Sequence, residues 1–330
     1  MSCGLTHLSD DLAVAVLARV PFSSQPDVRA ACRRFRALLA TAAFRQERLD
    51  SGFAEFGVVV FGGEHDFEAS SACWLLARGE PPRPIAPLSG KRYSAASVAP
   101  GGREVWLFGG RSDRAVLTTV EAYRPDTGTV RVCPPMNQRR AGAVAGLIDG
   151  TIVVAGGACS GRLVASVEAY ACATATWRAL PPLPHAAWLA TACVLNGSLF
   201  VAGGVRCDKL QCWNGAEWSV RRSLPTNRWG AASVARDGKM LVIGGSVAPS
   251  FRETSSVLSY CVEADSWEPF KPLPEPRSGC SATIEHTGSI LLVGGGAPLR
   301  YENGSWAAVE EARDFGLELA SAVSHSVLLG

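Results

Sequence analysis

Short apolar runs recur along most of the chain, and each ends in the same way. Val58–Phe61, Val105–Phe108, Ile152–Ala155, Leu199–Ala202, Met240–Ile243 and Ile290–Val293 are followed at once by Gly-Gly, at positions 62, 109, 156, 203, 244 and 294. Four apolar residues bounded by turn formers predict a buried strand. Five of the runs are preceded by a turn signal: Gly101-Gly102, Asp149-Gly150, Asn196-Gly197, Asp237-Gly238 and Thr287-Gly288. A second apolar segment lies ahead of each turn, as in Ala141–Ile148 and Ala231–Ala235. Each unit therefore predicts a hairpin whose second strand leaves through Gly-Gly, where glycine permits positive φ and a close backbone approach.

The rest of each unit repeats as well. Tyr123, Tyr170 and Tyr260 are followed seven residues later by Val130, Trp177 and Trp267. Two units use a tighter form, Trp213–Trp218 and Tyr301–Trp306, with Asn214-Gly215 and Asn303-Gly304 as two-residue turns. A proline cluster comes next, at Pro135-Met136, Leu180-Pro181, Leu224-Pro225 and Leu273-Pro274. An arginine closes the pattern, Arg92, Arg140, Arg228, Arg277 or Arg313, with His185 or a neighbour in that place in the fourth unit.

Four strands per unit, the Gly-Gly doublet, the spaced Tyr and Trp and a period near 46 residues over positions 53–330 resemble the kelch repeat. The resemblance implies a mainly β fold, a six-bladed β-propeller over residues 51–330. One four-stranded blade cannot bury both its faces, whereas radial packing lets each blade cover the next. The first Gly-Gly strand has no partner before it, because residues 40–52 read as helical. A strand around Leu317–Ser324 is expected to join it and close the ring. Val327–Gly330 then begins a seventh Gly-Gly strand or forms a tail.

Residues 1–50 follow a helical period instead. Ser9 is placed to cap a helix, with Asp10 and Asp11 in its first turn. Leu12, Val16, Leu17 and Val20 fall on one side, and Pro21 ends the helix. A second helix starts near Pro26 with the apolar face Val28, Ala31, Cys32, Phe35 and Leu38/Leu39, and a third starts near Thr41 and includes Phe44. So short a bundle buries little surface and calls for a partner.

This segment is similar to an F-box. The likeness rests on Leu5, Leu8, Asp10-Asp11-Leu12, Leu17, Val20-Pro21, Val28 and Cys32-Arg33-Arg34-Phe35; Ser9 and Phe35 stand where the family usually has Pro and Trp. An F-box ahead of kelch repeats is a known architecture. It implies docking on a Skp-type linker subunit and, through it, on a cullin, within a ubiquitin ligase. Leu8, Asp11, Leu12, Leu17, Pro21, Val28, Cys32 and Phe35 would supply the contacts or the packing behind them. The other readings are a kelch scaffold outside any ligase and a propeller enzyme, a sugar epimerase or an oxidase.

Charge narrows the partners. The net charge of +2 sits in residues 1–50, which hold seven Arg against five acids; the remainder balances. No concentrated basic face of the kind that binds a phosphate backbone is visible, so nucleic acid is not expected. No apolar stretch reaches transmembrane length, and Asp10-Asp11 stand where a signal peptide would be cationic. Eleven scattered Cys without a Cys-x-x-Cys pair fit reduced thiols. A cytoplasmic or nuclear protein is expected. Asn196 and Asn303 match the glycosylation sequon, but Asn-Gly is also a preferred hairpin turn, which is the reading that fits here.

Catalytic motifs are missing. There is no P-loop and no His-Glu-x-x-His, and the five His are far apart in sequence. Gly157-Ala158-Cys159-Ser160-Gly161 has the look of a nucleophile elbow but follows a strand into a loop. Glu64-His65-Asp66 reads as a solvated loop. No catalytic residue, cofactor or metal is expected. The loops entering and leaving the blades form one rim, where kelch substrate receptors bind. Its candidate contacts are Arg92, Tyr93, Arg140, Trp188, Arg228, Trp229, Arg277 and Ser278, with Glu64, Arg111, Arg114, Arg206 and Arg300 at the exits. Such a rim suits an acidic or phosphorylated peptide. An arginine that recurs in five units has a second reading, as a structural strap between blades.

Overall fold

The computed structural model describes residues 8–20, 24–51, 55–65, 68–125, 127–312 and 323–329. The chain divides into two compact units. One runs to Gly57 and includes Val327–Gly330; the other is Val58–Ser326.

The N-terminal unit contains four short helices: α1 (Asp10–Leu17), α2 (Gln25–Ala31), α3 (Arg33–Leu39) and α4 (Ala42–Asp50). The second helix expected from the sequence is thus two. Cys32 takes an extended conformation, φ −157° and ψ 158°, and its Sγ accepts the Phe35 N–H as the cap of α3. Ser9 and Thr41 cap α1 and α4 in the same way, through Leu12 N and Phe44 N. The core is Ala13, Val14, Leu17, Ala18, Phe35, Leu38, Leu39 and Phe44. Arg48 is buried beneath it and donates to the Ala18 and Val20 carbonyls at 3.0 and 2.6 Å, satisfying acceptors that the end of α1 leaves open.

The larger unit is mainly β. Among the described residues there are six four-stranded sheets, five of them meanders of antiparallel strands and the first completed by a strand from the C-terminal end. We number these blades one to six in the order of their Gly-Gly strands. Blade three shows the pattern: Val144–Ile148, Thr151–Ala155, Val167–Ala171 and Thr176–Leu180. Asp149-Gly150, Asn196-Gly197, Asp237-Gly238 and Asn303-Gly304 are two-residue turns with positive φ at both positions, the form that matches strand twist. Asn214-Gly215 is different. Trp213 pairs with Trp218, so the loop has four residues, and Asn214 Oδ1 accepts the Ala216 and Glu217 N–H groups.

The second strand of each blade is the most deeply buried, and the inner strands of neighbouring blades two to six lie side by side. Blade six packs on blade one through Leu291, Val293, Val309 and Ala312 against Val58, Val60 and Leu76. Blade one meets blade two through Phe61 and Tyr123, rings edge-on at 5.1 Å. The ring is closed by Val323–Leu329, which lies beside Glu55–Phe61 in the first sheet. The closing strand therefore lies further along the chain than Leu317–Ser324, and it takes in Val327–Leu329, which forms neither a tail nor a seventh Gly-Gly strand. Arg313 and residues up to 322 lie outside the described residues.

The recurrent aromatics join blades. Tyr170–Trp177, Trp213–Trp218, Tyr260–Trp267 and Tyr301–Trp306 pair across strands with ring centroids 5.0–5.4 Å apart. Each of these Trp indoles donates to a carbonyl of the blade before it: Trp177 to Pro134, Trp218 to Pro181, Trp267 to Arg222 and Trp306 to Lys271, at 2.9–3.1 Å. In blade two Val130 holds this place beside Tyr123 and has no donor to offer. Trp218→Phe keeps the ring contact and removes the bond. It is expected to cost about 1 kcal/mol in urea unfolding; an unchanged midpoint would show that the bond contributes nothing.

Candidate binding surfaces

Four of the arginines predicted for the rim are built into the fold. Arg92, Arg140, Arg228 and Arg277 are buried. Each carbonyl accepts an N–H from the second glycine of the preceding blade: Gly63, Gly110, Gly204 and Gly245. Each guanidinium reaches into the following blade. Arg140 donates to the Gly156 and Ser166 carbonyls at 2.9 and 2.6 Å and pairs with Glu168 at 3.0 Å. Arg92 bonds the Gly109 carbonyl and Glu121. Arg228 bonds the Gly244 and Ser256 carbonyls, and Arg277 bonds the Ala297 carbonyl and Glu275. These four are staples between blades, and their guanidinium groups are not open to a ligand.

The fourth unit shows the same logic with the charge removed. Ala187 takes the arginine's place, and its carbonyl accepts Gly157 N at 2.7 Å. The third-strand position that carries Glu121 in blade two and Glu168 in blade three here carries Gln211. Gln211 accepts from His185 N and donates to His185 O. Where the buried cation is absent, the buried anion is absent too, as the cost of an unpaired interior charge demands. Blade five departs from this rule. Arg228 has Leu258 at that position and no carboxylate, so burial alone lowers its pKa to about 10, and it remains a cation at neutral pH.

The other rim residues surround open space. A cavity of about 770 Å³ lies over blades two, three and four, between their incoming and outgoing loops. Tyr93 and Trp188 line it together with Arg111, Arg114, Arg139 and Arg206. Trp188 lies against Gly142, where an added Cβ would be 2.6 Å from the indole ring. Trp229 and Ser278 instead border the central channel, which adjoins the cavity at Ser94. The Trp229 ring packs at 5.6 Å, tilted by 58°, on Phe251, the 75% exposed tip of a blade-five hairpin. Small residues such as Ala145, Ala192, Ala231 and Ser281 line the channel. Burial pushes the thiol of Cys280 there up to about 11, which leaves it protonated and unreactive near neutral pH. Arg300 is not at an exit loop; it is bonded to Glu285 at 2.7 Å. Side-chain positions of Glu64 and His65, and all of Asp66, lie outside what is described. Among the described residues, no group of three His, Cys, Asp or Glu side chains is arranged to hold a metal ion.

In the helical unit, α1 is apolar on two sides. Ala13, Val14 and Leu17 face the core. Leu12 and Val16, one turn apart, are 57% and 41% exposed, so the single face expected for Leu12, Val16, Leu17 and Val20 is split. Asp11 is also exposed; Leu8, Val28 and Cys32 are half-buried, and Phe35 is in the core. Pro21 lies outside the described residues. Sequence reasoning grouped Val16 with the inward face. It also left Arg139 unnamed, because nothing in Arg139-Arg140 tells which of the two is turned inward.

Residues 92–137 and 139–184 match the kelch motif. An F-box/kelch-repeat protein of Arabidopsis thaliana is 29% identical over 167 residues, covering 47% of this chain and 44% of that protein. Kelch-like protein 23 of Homo sapiens is 32% identical over 90 residues, covering 27% of this chain and 15% of its own length. The chain thus spans less than half the length of these curated relatives. Among solved structures, that of YjhT superposes with a TM-score of 0.61 at 14% identity, covering 77% of this chain and 93% of the other, a likeness of fold. With capped helices ahead of six four-stranded blades, the chain carries kelch motifs and is similar, over about half its length, to an F-box/kelch-repeat protein.

Proposed function

We propose that the chain is the substrate-recognition adaptor of a Skp–cullin–F-box ubiquitin ligase in the cytoplasm or nucleus. The helical unit docks on the Skp-type linker and through it on the cullin. The loop face of the propeller holds the protein to be ubiquitinated. The chain contributes no catalytic group; it raises the effective concentration of the substrate at the transfer machinery.

One observation carries this reading: Leu12 and Val16 stand exposed one turn apart, outside the core that the described residues of the module form. Exposed apolar side chains that the core does not need mark a docking surface. The Arabidopsis relative, named for an F-box and kelch repeats, supports the same assignment. The test is co-elution of the full chain with the Skp-type linker of its own organism. Leu12→Asp with Val16→Asp is expected to abolish co-elution while thermal unfolding stays unchanged, because neither side chain contributes to the core. Co-elution that survives the double variant, or an intact chain that never binds the linker, would leave a kelch scaffold outside the ligase.

A further inference from the structure

We propose that the cavity over blades two, three and four receives an acidic segment of the partner protein. An apolar side chain of that segment rests against the cavity's apolar lining, and its carboxylates are held by Arg111, Arg114 and Arg206. This rests on the adaptor reading and adds to it the class of partner.

Four arginines line the cavity and no carboxylate does. Arg111, Arg114 and Arg206 are exposed, and none of the three makes a side-chain hydrogen bond or ion pair among the described residues. Arg139 is half committed, donating to the Val116 carbonyl at 2.9 Å. The acids adjacent in sequence are already engaged. Asp113 accepts Ala69 N at 2.8 Å and faces Lys91 at 3.9 Å, and Asp208 is paired with Lys209 at 3.1 Å. The cations therefore present unused donors to whatever enters. A guanidinium holds a carboxylate with two parallel bonds.

Between the arginines the lining is apolar, with Ala115, Val116, Ala141, Ala158 and Leu163, and the Trp188 ring beside them. A small anion would leave that surface wet, whereas a chain carrying both kinds of group would cover it. The rest of the face lacks this character. The neighbouring blade-one corner mixes Lys91 with Glu68 and Asp113, and the blade-five hairpin carries Arg252 beside Glu253. Tyr93 and Trp188 add aromatic surface of the kind that anchors protein interfaces.

The test is selection of a random-peptide display library on the purified full chain. The selected peptides are expected to carry Asp or Glu on both sides of an apolar residue. A labelled peptide from the selection should lose at least about tenfold in affinity on Arg114→Glu/Arg206→Glu, and also in high salt. Both side chains are exposed, so the variant should unfold at the wild-type temperature; if it does not, Arg114→Gln/Arg206→Gln replaces it. No selected peptide, peptides without acidic enrichment, or binding indifferent to both variants would overturn the proposal. So would inorganic phosphate alone binding as tightly as the peptide, which would make this a small-anion site. Linker co-elution measured on the same preparations keeps the two readings apart. Linker bound without peptide sinks the cavity alone, and peptide bound without linker sinks the ligase assignment alone.

Discussion

Arg140→Ala is expected to cost the propeller about 3–5 kcal/mol, a fall in Tm on the order of 10 °C. The size follows from what remains. Glu168 accepts from Arg140 and also from Asn137 N, Asn137 Nδ2 and Gln138 N, so every contact made by its carboxylate is an acceptor. Without the guanidinium that carboxylate stays buried with its charge uncompensated, and the Gly156 and Ser166 carbonyls lose their donor. Arg228→Met supplies the contrast. It leaves carbonyls short of a donor but no buried anion, so its cost should be clearly smaller. The double change Arg140→Met/Glu168→Gln should recover much of the Arg140 loss, because the fourth unit already folds with Ala187 and Gln211 in these places. Equal losses for Arg140 and Arg228, read by thermal unfolding, would mean that the carboxylate is not the source of the effect.

Gly156→Ala is the second large effect, about 3 kcal/mol or more. Gly156 has φ +70°, and a Cβ there would lie 2.4 Å from the Ala187 carbonyl oxygen. That oxygen belongs to backbone held by Gly157 N, so it cannot swing away as a side chain would. The added methyl must therefore break the contact that joins blade three to blade four. Gly150→Ala isolates the conformational part, since Gly150 has φ +72° but open space around it. Its cost should be about 1 kcal/mol. If the two variants unfold at the same urea concentration, the close approach at Gly156 carries no energy.

These contrasts also show which features can be read from a sequence. The Gly-Gly strands and the Asp-Gly and Asn-Gly hairpins were legible because positive φ restricts the residues that can stand there. The strapping arginines were legible as a repeat but not as straps. Arg139 and Arg140 are chemically identical, and only the close approach of the Arg140 carbonyl to Gly110 turns its side chain inward. The split of α1 into two apolar faces was hidden for a similar reason. Leu12 and Leu17 share one pattern, and the packing of Phe35, Leu38 and Phe44 decides which of them is covered. Cys32 broke an unbroken helical pattern because its Sγ could serve as a cap. The closing strand lacks a Gly-Gly doublet to fix its position. The cavity is assembled from loops of three blades, so no single stretch of sequence contains it.

The central claim is a division of labour: helices for the linker, propeller for the substrate. Hydrogen–deuterium exchange of the full chain, with and without the Skp-type linker, tests it most directly. Exchange is predicted to slow in α1 and its neighbours within residues 8–50 while the blades are unchanged, and Leu12→Asp/Val16→Asp should remove the slowing. Slowing confined to the blades, or no slowing within residues 8–50, would contradict the account.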